Sequence, residues 1–134
     1  MNQKIQVLET SALKPELGID RKQLIPKMIA ELSGHGIQVF YLDGREISSK
    51  AEFLSQAAKA MHFPVYFGAN WDAFDECIID LEWCPAQGYI LIYDRPDVFA
   101  TSDPEQWKIA LDILQSAVEY WRGQNIPMDV FLLH

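Results

Sequence analysis

The sequence predicts a small α/β fold in which helices pack around a three-stranded parallel sheet. Three observations predict it. Tyr89-Ile90-Leu91-Ile92-Tyr93 is an uninterrupted apolar run of strand length, the pattern of a strand covered on both faces. The strand-like segments are separated by apolar stripes at helical spacing, of which Trp107, Ala110, Leu111, Leu114, Ala117, Val118 and Trp121 form the longest. Strands that alternate with helices favour parallel pairing through right-handed crossovers.

Taken in order, Ile5, Val7 and Leu8 are compatible with a short strand, after which Pro15 and Gly18 mark a loop. Asp20 and Gln23 offer an N-cap to a helix carrying Ile25, Met28, Ile29 and Leu32, with Pro26 either in its first turn or kinking it. Gln38 to Leu42 is the first strand, stopped by Asp43-Gly44. That dipeptide would suit a hairpin, but Ser49-x-x-Glu52 follows as a capping box. The turn therefore leads to a helix with the stripe Leu54, Ala57, Ala58 and Met61, ended by His62. A second helix is predicted from Asn70 to near Glu82. Cys84 to Gly88 breaks the pattern before the central strand, and Asp94-Arg95-Pro96-Asp97 is a polar loop leaving it. Asp103 caps the long helix, with Pro104 at its first position and Gln106 at its third. Met128 to Leu133 is the last strand. The chain reads as one domain over residues 1–134, with residues 1–36 an N-terminal extension docked on it.

Composition narrows the function. A chain of 134 residues can bury a core without staples, and 49% apolar with 22% charged residues is an ordinary globular balance. The formal charge of −8 is the wrong sign for direct binding of nucleic acid and suits a basic protein partner. Cys77 and Cys84 have neither zinc nor redox spacing, and Cys77 falls at the edge of an apolar helix face as a reduced, buried thiol. The absence of a signal-like or membrane-length apolar run makes the cytoplasm the expected location. His35, His62 and His134 are scattered, and no phosphate loop, nucleophile elbow or His-based metal motif is present, so neither catalysis nor a cofactor is expected.

The informative stretch is Pro64 to Ile78, an aromatic loop running straight into an acidic helix. Asn70 suits the N-cap and Asp72 the first turn, where the helix dipole favours an anion. At about 100° per residue, Trp71, Phe74, Ile78 and Leu81 share the core face. Asp72, Asp75, Glu76 and Asp80 gather opposite, more charge than a helix needs in order to fold.

Tyr66-Phe67-Gly68-Ala69-Asn70-Trp71-Asp72-Ala73-Phe74-Asp75-Glu76-Cys77 resembles the loop-and-helix signature of the barstar family of ribonuclease inhibitors. The resemblance runs from about Ile37 to the end. It implies the same strand and helix order, and a partner-binding surface that plugs the cationic active site of a ribonuclease. By that resemblance Tyr66 and Asp72 match contact residues, Gly68 and Asn70 the loop frame, and Glu76 the central acid with one more methylene. Phe67 completes the aromatic pair, Asp80 extends the acidic face, and Glu119 is the nearest counterpart of a glutamate on the family's last helix. Asp75 stands where the family has a contact tryptophan, which turns the expectation from barnase itself to a related ribonuclease or another cationic protein. One alternative is a binding module of the same fold with a non-nuclease partner. Another is a metal-dependent enzyme built on the carboxylate cluster.

Overall fold

The computed structural model describes residues 6–8, 21–64 and 68–134. Their order is β1 (Gln6–Leu8), α1 (Arg21–Ser33), β2 (Ile37–Asp43), a 3₁₀ turn (Gly44–Glu46), α2 (Lys50–Ala60), α3 (Trp71–Ile78), β3 (Gly88–Asp94), α4 (Asp97–Ser102), α5 (Pro104–Gly123) and β4 (Met128–Leu133). The three predicted strands β2, β3 and β4 pair in parallel as expected. β1 adds a fourth parallel strand outside β4, so the order across the sheet is β1-β4-β3-β2.

Because side chains alternate across a pleated strand, β2 and β3 feed two separate clusters. On one face Phe40, Leu42, Tyr89, Leu91 and Tyr93 meet Phe53, Phe74, Ile78, Phe99 and Leu114 from the helices. On the other, Ile25 of α1 packs with Val39, Ile92 and Leu133. Phe53 is the hub of the larger cluster. It is fully buried, and its ring lies 5.2–6.0 Å from those of Trp71, Phe74, Tyr93 and Phe99.

The carboxyl ends of β2 and β3 lie in register at Asp43 and Asp94. Gly44 is required there by close approach: a Cβ on it would stand 2.2 Å from the Asp94 carbonyl oxygen and 2.3 Å from that of Arg95. The Tyr41 hydroxyl donates to Asp94 Oδ2 at 2.8 Å. Burial and the charge of Asp94 push the Tyr41 phenol well above its ordinary range, which keeps it a donor.

The structure removes one of the two placements left open for Pro26 and departs from the sequence reading in three further places. Pro26 lies inside α1, beyond its first turn, so the helix forgoes one backbone bond there; Asp20 lies outside the described residues. Ser49 caps α2 as predicted, but Glu52 accepts from the N–H and hydroxyl of Ser48, one residue before the cap. α3 stops at Ile78, short of Glu82, because Asp80 and Leu81 both donate to the Cys77 carbonyl and Leu81 turns left-handed at φ 49°. Where the sequence reading placed no element between the polar loop Asp94–Asp97 and Asp103, α4 begins at Asp97 and runs to Ser102. That helix is six residues long with no side-chain cap, too short to show a period, yet it buries Phe99 completely.

Tyr93 makes a test of the core. Its hydroxyl is buried without a hydrogen-bond partner among the described residues, and burial together with Asp97 raises its pKa far above the ordinary tyrosine range. An unpaired buried hydroxyl is destabilising, whereas its removal leaves the ring contacts in place. Tyr93→Phe should therefore raise stability by about 1 kcal/mol, read as a higher urea midpoint at unchanged slope.

Candidate functional site

α3 begins where the sequence says it should. Asn70 is extended at φ −136°, and its Oδ1 accepts from the Ala73 N–H at 2.8 Å. Its Nδ2 donates back to the Gly68 carbonyl at 3.5 Å, so one side chain closes the loop and starts the helix. Ala69 between them is held left-handed at φ 56°. That region is unfavourable for a residue with a Cβ by about 1–2 kcal/mol, part of which glycine returns as chain entropy. Ala69→Gly should accordingly stabilise the protein by about 0.5 kcal/mol, visible as a small rise in Tm.

The helix presents two unlike faces. Phe74, Cys77 and Ile78 are buried, while Trp71 is half-buried against Phe53 and Phe74, with the Lys50 ammonium 5.9 Å from its ring centroid. Asp72, Asp75, Glu76 and Asp80 are all exposed, and none makes an ion pair or hydrogen bond among the described residues. Their spacing sets like charges three and four residues apart, which disfavours a helix by about 0.2–0.5 kcal/mol per pair. Only Asp72 sits in the first turn, where the dipole favours it. Asp75 and Glu76 stand in the second half of an eight-residue helix and Asp80 beyond its end, with no basic residue in the last turn to offset them. The acidic face thus works against the helix that carries it.

Of the other expected site residues, Gly68 and Asn70 frame the loop, and Tyr66 and Phe67 lie outside the described residues. Glu119 is exposed on α5, two positions before Trp121, and nothing ties it to the α3 carboxylates. His62 follows the C-cap of α2 with φ 58° and is exposed. Cys77 is a free, buried thiol. Burial first, then the charges of Asp80 and Glu76, push its pKa up and make it a poor nucleophile at neutral pH. Among the described residues no group of three or more His, Cys, Asp or Glu is arranged to hold a metal ion, which leaves the metal-enzyme alternative without a site there. No helix among them is long and apolar enough to cross a membrane.

Sequence reasoning missed the residues that seat α3. The Trp71 indole N–H donates to Gln106 Oε1 at 2.8 Å, and the Trp121 indole N–H to the Ile78 carbonyl at 2.9 Å. A third indole, of Trp83, donates to the Met61 carbonyl at the end of α2. Tryptophan marks a residue that wants a polar partner when buried, but spacing alone does not say which.

Fold and site together define a small α/β domain that offers a carboxylate-lined helix on an aromatic base. The family model described as barstar (barnase inhibitor) matches residues 37–133. The chain belongs to the barstar family. No curated protein matches it by sequence. Among solved structures, a chain from the structure of Drosophila ORC bound to DNA has a TM-score of 0.60 at 16% identity, over 97% of this chain and 31% of that one. At that identity the likeness is one of fold alone.

Proposed function

We propose that this protein binds and inhibits a basic ribonuclease, or a toxin-like enzyme with a similarly cationic active site, by plugging that site with α3 and the loop before it. The observation that carries the reading is the row of four exposed carboxylates, three on α3 and Asp80 just beyond it, that have no partner among the described residues and repel one another. Such a row gains from a cation-lined cleft what it lacks in the free protein: charge-assisted hydrogen bonds and electrostatic steering of the encounter. Inhibition is reversible occlusion, with no chemistry and no cofactor. Two free cysteines, one of them buried, fit a reducing, cytoplasmic setting.

The extra charge at Asp75 favours a second reading, in which the same surface serves a basic partner that is not a nuclease. Calorimetric titration against barnase and a panel of other basic ribonucleases, at low and high salt and beside an RNA-cleavage assay, separates the two. Tight, salt-weakened binding with loss of cleavage supports inhibition. Silence across the panel removes the ribonuclease reading and leaves the second.

A further inference from the structure

A helix of eight residues does not hold itself in water, and α3 is further burdened by its own charges. Its placement must come from outside. Both indole bonds that seat it end on α5, one near each end of that helix. The first runs from Trp71, the first residue of α3, to Gln106 in the first turn of α5. The second runs from Trp121, near the end of α5, to the carbonyl of Ile78, the last residue of α3. That carbonyl is among those a helix end leaves without an internal partner.

Gln106 is freed for this task by its own surroundings. As the third residue of a helix capped by Asp103, it stands where a glutamine ordinarily reaches back to the cap's backbone N–H. Here the Asp103 N–H already donates to the Phe99 carbonyl at 2.9 Å, at the end of α4. The Asp103 side chain still accepts from the Gln106 backbone at 3.3 Å, so α5 remains capped while the Gln106 side chain turns to α3.

We infer that Gln106 is a positioning residue for the recognition surface, fixing through Trp71 the rotation and tilt at which α3 presents its carboxylates. The inference rests on the proposed function for its consequence in binding, though not for its geometry. Trp71 and Asp72 are neighbours in sequence, so a fixed Trp71 indole fixes the direction in which Asp72 leaves the helix. A helix of this length spans about 12 Å, and a tilt of about 10° would carry its far end by about 2 Å. That displacement exceeds what a charge-assisted hydrogen bond tolerates.

The test uses Gln106→Met, which keeps the length of the side chain and removes the acceptor, beside Gln106→Glu, which keeps an acceptor. Hydrogen exchange of the Trp71 indole proton and of the α3 amides is followed by NMR, with the β3 amides as internal reference. In Gln106→Met, exchange at Trp71 and along α3 should quicken about five- to tenfold while β3 holds. Gln106→Glu should stay near wild type. Unchanged α3 exchange in the methionine variant overturns the inference, and so does an equal rise in β3, which would mean general destabilisation. A second arm measures dissociation from barnase or whichever ribonuclease of the panel binds. There Gln106→Met should leave about five- to tenfold faster, with the glutamate variant rescued. Unchanged dissociation with a loosened α3 overturns the role in recognition. If the unmodified protein binds none of the ribonucleases, the function proposed above has failed, and the exchange arm still decides what Gln106 does to α3.

Discussion

Phe53→Ala should destabilise the protein by about 3–5 kcal/mol, the scale for emptying the place of a buried aromatic side chain. That is a large part of the stability a domain of this size has to lose. The reason is the position of the ring and not only its size. It touches Trp71 and Phe74 of α3, Tyr93 of the central strand and Phe99 of α4, so three elements meet on a residue of a fourth, α2. A cavity there cannot collapse without moving helices that are themselves hydrogen-bonded to α5 or fixed to the sheet. Urea unfolding followed by circular dichroism gives the change in stability. A loss below about 1 kcal/mol would mean that the site repacks and that Phe53 is not the hub. A milder variant, Phe53→Leu, keeps most of the volume and should fall between the two proteins.

How much of this was legible beforehand follows from the range of the forces involved. The caps at Ser49, Asn70 and Asp103 are local contacts within one turn, and the sequence displays all three. The central strand shows itself through its unbroken apolar run, and the acidic face of α3 through simple angular spacing. Phe53 escaped notice because it stands one position ahead of the Leu54 stripe, and only the assembled sheet shows that α2 buries a face wide enough to include it. α4 is shorter than two helical turns and begins without a capping side chain. The indole bonds were beyond reach for another reason. Trp71 and Gln106 are 35 residues apart, Trp121 and Ile78 are 43, and nothing local records such a pairing. The acidic face proposed to bind was therefore readable, whereas the contacts that seat α3 were not.

Replacing Asp72 and Glu76 together by alanine should abolish measurable inhibition while leaving the fold close to its original stability. On the binding side, each carboxylate faces a cation in the proposed complex, and truncating one partner of a buried charge pair costs about 2–5 kcal/mol, a scale for which the barnase–barstar interface is itself a standard source. Two such losses would weaken the complex by at least about 10³-fold. On the folding side the two changes oppose each other. Asp72 is favoured by the helix N-terminus, so its loss is slightly destabilising. Glu76 lies one turn further on, repelled by Asp72 and nearer the negative end of the dipole, so its loss is slightly stabilising. Both side chains are exposed and neither makes a hydrogen bond or ion pair among the described residues, which limits each effect to a few tenths of a kcal/mol at about physiological salt. Thermal unfolding with titration against the partner reads both sides in one preparation. A lost complex with Tm held within about 2 °C is the signature of a surface kept for binding at some expense to its own helix. A complex that survives the double substitution would move the site off α3. A Tm that falls with the affinity would make these acids part of the fold and not of the recognition surface.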